Sequence, residues 1–238
     1  PNFPGQYQAW TRIGRTYGKS ELRLLNSSDE LIDTIPLSST GQDRVGTFIG
    51  STQELVLTLE PQELFKESIE SVSSLASKED ARIIAAIGKD SPLPFNWLEF
   101  DSADAILMVT SDIERINQIS DVQLDALETW VKQGGTLILS ATANANQLLS
   151  ENGRLARFCP GTFVGLDECY NSSRLETFCD SQEKLLPGNN ESFPIVQLDE
   201  VRGTILVDNS NSKNRKPLII KTAYGMGKVV FVTFDLES

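Results

Sequence analysis

The sequence predicts an α/β fold: a mostly parallel sheet with helices on both faces and a C-terminal antiparallel hairpin, preceded by a small β-rich, sandwich-like module. Three observations predict it. Through residues 1–60, short apolar or β-branched runs recur near every ten residues between turn formers, as in a small antiparallel β-module. Through residues 61–150, segments of helical period alternate with continuous apolar runs, as in a parallel sheet covered by helices. Near the C-terminus, two apolar runs flank the Gly-rich link Ala223-Tyr224-Gly225-Met226-Gly227, whose length suggests an antiparallel hairpin at a sheet edge. The expected division is therefore a β-rich module over 1–60 and an α/β domain over 61–238, with an irregular excursion at 151–200.

Within the module the expected strands are Gln6–Ile13, Glu21–Asn26, Leu31–Leu37, Val45–Gly50 and Glu54–Glu60. In the last of these, Leu55, Leu57 and Leu59 alternate with Glu54, Val56 and Thr58, which predicts one buried face. From Pro61 the spacing of Leu64, Phe65, Ile69, Val72 and Leu75 predicts an amphipathic helix over 62–76. Ala81–Ile87 and Ala105–Thr110 read as buried strands, and the segment Lys89–Ser102 between them as a loop. Ser120 or Asp121 caps a helix with apolar positions Val122, Leu124, Leu127, Trp130 and Val131. Gly134 and Gly135 end it, and Thr136–Ser140 follows as a strand. Ala141–Ser150 returns to helical composition. The excursion is expected to hold one short helix near Arg174–Cys179. Thr204–Val207, Pro217–Thr222 and Lys228–Phe234 are the final strands.

Composition removes whole classes of chemistry. The 238 residues carry 21 Lys plus Arg against 33 Asp plus Glu, a formal charge of −12, and no histidine. An acidic chain lacks the basic footprint of a nucleic-acid binder and is repelled by an anionic membrane surface. Without histidine the chain itself supplies no Ser-His-Asp triad, no Cys-His pair and no His-ligated zinc. Cys159, Cys169 and Cys179 fall ten residues apart, which fits neither a redox C-x-x-C motif nor a zinc ribbon. Buried thiols and a single disulfide both remain open. Three N-x-S sequons, at Asn26, Asn171 and Asn190, carry meaning only in a glycosylating compartment. The ends of the chain, Pro1-Asn2-Phe3 and Asp235-Leu236-Glu237-Ser238, are expected to be cut from a longer protein.

Two stretches carry a family resemblance. One runs from Asp104 through Ser111 and then from Gln123 through Trp130-Val131-Lys132-Gln133-Gly134-Gly135 to Ser140; the other is Tyr224-Gly225-Met226-Gly227-Lys228-Val229. Together they resemble the class I glutamine-amidotransferase-like, flavodoxin-like fold over roughly residues 80–238. The closer likeness is to non-catalytic versions in extracytoplasmic parts of bacterial membrane-anchored proteins. The resemblance implies a strand, a short helix, a helix ending in W-V-x-x-G-G, a strand, an excursion and a closing strand pair. Catalytic members use a Cys at a sharp strand-to-helix elbow, with His and an acid. Here the elbow position is Ala141-Thr142-Ala143-Asn144, without Cys, so the resemblance carries the fold and argues against the activity.

Candidate binding residues follow from the fold class. Open α/β sheets bind ligands in the crevice beyond the carboxyl ends of their strands. Those ends present Lys89, Asp90, Ser111, Asp112, Thr142 and Asn144, which suit a small polar ligand or a cation; the same residue types also cap helices and shape turns. Gly225-x-Gly227-Lys228 lacks phosphate-loop spacing and precedes a strand, so it reads as a turn. Asp101 and Asp104 flank the start of a strand that Asp112 follows, roughly 20 Å away, so no metal site is assigned. Phe95, Trp97 and Phe100 either pin their loop to the sheet or form a docking patch. No catalytic residue and no cofactor are expected.

The leading functional expectation is a non-enzymatic interaction or scaffold domain with a protein partner, in a larger, envelope-associated bacterial protein. Placement is expected to be extracytoplasmic, with no nucleic acid and with membrane contact only through segments outside this chain. The alternatives are a ligand-binding or sensory domain using the strand-end crevice, and a His-free hydrolase using carboxylates or a metal.

Overall fold

Among the described residues, eleven strands alternate with short helices. The computed structural model describes residues 20–37, 54–59, 82–87, 93–142, 144–181, 184–186, 191–209 and 215–236. The chain divides into two compact units, residues 1–53 and 54–238.

In the first unit, strands β1 (Ser20–Leu25) and β2 (Leu31–Leu37) form an antiparallel hairpin. Its turn is built by Asn26, whose Oδ1 accepts from the backbone N–H groups of Ser28 and Glu30 at 2.8 and 2.9 Å. This is the local hydrogen bonding that makes Asn a turn former. The strands expected at 6–13 and 45–50 lie outside the described residues, as does the helix expected at 62–76.

The second unit is built on a seven-stranded sheet in the order β4-β3-β5-β6-β11-β10-β9. Its members are β3 (Glu54–Thr58), β4 (Arg82–Ala86), β5 (Ala105–Val109), β6 (Thr136–Ser140), β9 (Thr204–Asp208), β10 (Pro217–Tyr224) and β11 (Gly227–Val232). The five strands β4, β3, β5, β6 and β11 run parallel, and β10 is antiparallel to both neighbours. Counted from β3, the parallel strands lie in the order 2-1-3-4-5, the doubly wound arrangement of flavodoxin-like sheets.

This topology corrects three expectations. Glu54–Glu60 does not close the β-rich module: β3 lies between β4 and β5, so the unit boundary falls before residue 54 rather than after residue 60. Its alternation does not expose one face either. Leu55, Thr58 and Leu59 are all buried, because an interior parallel strand is covered on both sides. The C-terminal hairpin, in turn, is not at the sheet edge; β10 pairs with β9 on its far side, and β9 is the edge strand.

Helices occupy both faces at this end of the sheet. Helix α1 (Ile113–Gln118) and helix α2 (Asp121–Lys132) connect β5 to β6. Ser120 caps α2 as anticipated, in a capping box closed by Gln123, and the Gln123 amide also donates to the Leu93 carbonyl at 2.6 Å. Leu124, Leu127 and Val131 of α2 share one core with Ile106, Met108, Leu137, Leu139, Val229 and Phe231. Helix α3 (Ala145–Leu148) is a single turn after β6. On β11, Val230 turns the other way, toward the second core, which contains Leu175 of helix α4 (Ser173–Phe178). Strand alternation therefore puts α2 and α4 on opposite faces. The excursion is more regular than expected. Strands β7 (Thr162–Cys169) and β8 (Phe193–Asp199) pair antiparallel within it. The Val196 N–H then donates to the Thr233 carbonyl at 2.7 Å, tying the excursion to the end of β11.

The β10–β11 hairpin is seated on the C-terminal end of α2. Gly225, at φ +64°, opens a two-residue turn of the kind that needs a positive φ at its first position. The Met226 N–H donates to the Lys132 carbonyl at 2.8 Å, and the Lys228 N–H to the Gly135 carbonyl at 3.1 Å. A Cβ at Gly227 would lie 2.0 Å from the Val131 oxygen and 2.3 Å from the Gly135 oxygen. Above the turn, Tyr224 donates to Glu128 at 2.6 Å, while Lys132 and Arg157 pair with the same carboxylate at 2.7 and 3.0 Å. Burial pushes the Glu128 carboxyl up, but Lys132, Tyr224 and Arg157 together outweigh it and hold the group below its ordinary value near 4.5.

Two predictions follow from this junction. Gly227→Ala, whose methyl group meets two backbone oxygens that cannot move aside, is expected to cost at least about 3 kcal/mol in urea unfolding. Gly165→Ala, with nothing within 4 Å of its Cβ, serves as the tolerated control. Because the folded carboxyl of Glu128 is the more acidic, its stabilisation is complete above the unfolded value near 4.5 and is lost as pH falls through the folded value. The stability gap between the wild type and Glu128→Gln should be flat from neutral pH down to that range and close below it.

Candidate functional site

The carboxyl ends of the parallel strands are the first place to look for chemistry, and the strand order reverses between β3 and β5. Thr110, Ser111 and Asp112 leave β5 at that reversal. Asp112 caps α1, its Oδ1 accepting from the Arg115 N–H at 3.1 Å, and the Arg115 guanidinium donates to the Ile87 carbonyl beyond β4 at 2.5 Å. Asn144 makes no side-chain cap on α3. Its amide instead donates to the Thr110 and Ser111 carbonyls at 2.6 and 3.4 Å.

Thr142 points elsewhere. It is buried, and its hydroxyl donates to the Thr233 carbonyl at 3.0 Å. Ser140 does the same to the Phe234 carbonyl at 2.8 Å, and the Thr233 hydroxyl reaches the Pro217 carbonyl at 2.9 Å. Asn144 is thus brought to Ser111, and Asp112 holds the start of α1, while Thr142 belongs to a seam between β6 and β11. Lys89 and Asp90 lie outside the described residues. The pattern has a simple cause. Strand ends carry backbone carbonyls that the ladder no longer pairs, and short polar side chains satisfy them.

One polar group here escapes that bookkeeping. The Thr110 hydroxyl is the single buried side-chain polar atom without a partner among the described residues. Sequence reasoning passed over it, because it reads as the last residue of a buried strand.

The elbow residues Ala141, Thr142 and Asn144 bring neither a nucleophile nor a base together. The cysteines are all unpaired; Cys159 and Cys169 are buried and Cys179 exposed. Burial pushes the Cys159 and Cys169 thiols up, away from the thiolate that a nucleophile requires. Among the described residues no three His, Cys, Asp or Glu side chains converge on a metal-sized site.

A concavity of about 280 Å³ lies at the opposite end of the sheet, lined by residues that precede β5 and β6, among them Trp97, Asp101, Asp104, Trp130 and Gln133. Of the loop aromatics, Phe100 is fully buried against Trp130, with ring centroids 5.9 Å apart, whereas Phe95 is exposed. The loop is therefore pinned by one aromatic, and Trp97 remains half-buried at the cleft.

No family model matches the chain, and no curated protein sequence does. Solved structures resemble it in chain course. A cytoplasmic protein of Salmonella typhimurium, STM3548, is 15% identical, with 76% of this chain and 87% of that chain covered at a TM-score of 0.48. A ThuA-like protein from Bacteroides uniformis is 12% identical, with 77% and 81% covered at 0.45. An exo-β-1,4-mannosidase, Op5Man5, from Opitutaceae bacterium strain TAV5 is 16% identical at 0.46, with 78% of this chain matching 32% of that one. The chain thus spans about a third of the mannosidase. Strand order, rather than these likenesses, carries the fold reading.

The seam makes a sharp prediction. Asn144→Ala should cost about 1–2 kcal/mol by leaving the Thr110 carbonyl unpaired. Asn144→Asp should cost more, because a carboxylate would then face two carbonyl oxygens. Thr142→Val should cost about 1 kcal/mol. Urea unfolding of the three variants checks the order.

Proposed function

We propose that this chain is a non-enzymatic interaction or scaffold domain of a larger, envelope-associated bacterial protein, placed on the extracytoplasmic side and engaging a protein partner. The observation that carries the reading is the division of labour along the α/β unit. At the carboxyl ends of the sheet, Ser140, Thr142 and Asn144 spend their hydrogen bonds on backbone carbonyls. The excursion, by contrast, presents apolar side chains to solvent: Val164 and Leu166 on β7 are 50% and 45% exposed, and Tyr170 and Phe178 beside it are exposed as well. Apolar side chains held at the surface by a paired strand are what a partner interface needs at its centre. The absence of histidine, and of Cys from the elbow, fits the same reading. The bacterial and envelope placement is taken from the sequence resemblance.

The test is site-specific photocrosslinking in cells that make the full-length protein. A photoreactive residue at Val164 or Leu166 is expected to capture one discrete partner that the same residue at exposed Lys221 does not. Equal labelling from both positions overturns the reading. So does a small molecule whose stabilising effect on the purified chain disappears in Ser111→Trp, because that places the function in the strand-end crevice.

A further inference from the structure

The backbone of β7 carries a feature that its side chains do not show. Among the described residues β7 pairs only with β8, so its other edge has no strand beside it. Which groups face that edge follows from β8. Opposed residues of an antiparallel pair either exchange both hydrogen bonds or turn both groups outward. Val196 turns outward, because its N–H goes to the Thr233 carbonyl. Leu166 stands opposite Val196, so it turns its own N–H and carbonyl away from β8, toward the open edge. The next pair has the same phase: Glu168 stands opposite Pro194, which has no N–H to give. Glu168 finds its partners off the ladder. Its N–H donates to Asp167 Oδ1 at 2.7 Å, and its carbonyl accepts from Lys216 Nζ at 3.3 Å. No described residue does the same for Leu166.

Side chains and charge say what would fit there. Phe163 packs against the main core, while Leu166, and Val164 at the register shift between Phe163 and Gly165, are exposed. Exposed strand edges are commonly blunted by charge. On β7 the charge stands at one end only. Lys216 pairs with Asp167 at 2.5 Å, and Glu168, exposed, enters no ion pair among the described residues. Two carboxylates against one ammonium leave that end net negative, on a chain whose formal charge is −12. A second copy of this chain is repelled by such an edge, and a basic segment is drawn to it. The edge strand β9 of the large sheet offers less, since two register shifts interrupt its five residues.

We infer that the protein partner engages β7 by adding a strand to it. The added strand is an extended segment of another protein, apolar at alternate positions, with a Lys or Arg placed to reach Glu168. Main-chain hydrogen bonds to Leu166 hold the segment, and contacts with Val164 and Leu166 select its side chains. This names the chemistry of the partner at the surface already proposed, and it rests on that reading.

The experiment uses the full 238-residue chain and a displayed library of random octapeptides, matched to the eight residues of β7. Without peptide, the Leu166 amide is expected to exchange its hydrogen at least about tenfold faster than that of Asp167, which faces β8. Selected peptides are expected to alternate apolar and polar residues, to carry Lys or Arg, and to protect the Leu166 amide when they bind. Leu166→Pro removes an N–H that the fold does not use. It should leave the melting temperature in place and weaken the selected peptides at least about tenfold. An ester in place of the Leu166 amide, made by incorporating leucic acid, should weaken them too with the side chain intact. Equal exchange at Leu166 and Asp167 overturns the inference. So do peptides that bind the proline and ester chains as tightly as the wild type, a selection that yields acidic peptides or none, and a dimer of the purified chain that Leu166→Pro dissociates. A discrete crosslink from Leu166 in cells alongside any of these results overturns the added strand and leaves the interaction reading standing. Equal labelling from Leu166 and Lys221 overturns both.

Discussion

The contact on which the second unit depends is the seating of a two-residue hairpin turn on the end of a helix. Helix α2 stops at Gly134 and Gly135, whose N–H groups close the Val131 and Trp130 carbonyls and leave the Lys132 carbonyl over. The turn at Gly225 and Met226 supplies a donor to Lys132, and Lys228 supplies one to Gly135. Such contact requires backbone against backbone, which is why Gly227 has oxygen atoms where a side chain would begin. The same approach starts the β6–β11 ladder in register, since Lys228 stands opposite Thr136. From there Val229 and Phe231 fall on the α2 face and Val230 on the α4 face. Tyr224 is carried over Glu128 at the same time, so the ionic cluster is a consequence of the glycine contact and reinforces it.

The two ends of the sheet are finished differently. At the carboxyl ends, hydroxyls and an amide close a set of carbonyls that belong to distant segments, and the polar residues become part of the framework. Among the described residues, only the Thr110 hydroxyl departs from this. At the amino ends, β5 and β6 begin beside a helix terminus, a pinned aromatic turn and two carboxylates, and a cleft remains. The doubly wound topology accounts for the first: parallel strands all end on one side, so their unpaired carbonyls accumulate there. The second arises because α2 must come back to the start of β6, which sets Trp130 and the α2 terminus beside the loop that enters β5.

Much of the α/β unit is legible in particular residues. Ser120 and Gln123 mark the start of α2, Trp130 and Val131 its buried side, and Gly134 its end, because capping, periodicity and a left-handed stop are all local. The strands β5, β6, β9, β10 and β11 are visible as apolar runs for the same reason. Strand β3 is visible as a strand but is credited to the wrong unit, since its neighbours β4 and β5 come later in the chain. Strands β7 and β8 escape notice. Gly165 and two acids interrupt the first, and Pro194 lies in the second; their pairing with each other outweighs these weak local preferences. Of the site residues, the polar character of Ser111, Asp112, Thr142 and Asn144 is legible. Their partners are not, because the carbonyls of Thr233 and Phe234 are some ninety residues away from Ser140 and Thr142.

What the sequence by itself determined is therefore local and compositional: an acidic chain without histidine, helices with readable caps, apolar runs of strand length, and glycines where turns must close. Only the tertiary structure decided which strands share a sheet, that the C-terminal hairpin is interior rather than at the edge, and that Trp97, Asp101, Asp104 and Trp130 face one cleft. The physical reason is the range of the interactions. Capping and periodicity act within a few residues and leave a trace in the sequence, whereas ladder partners and cleft walls are chosen by packing among segments far apart in the chain.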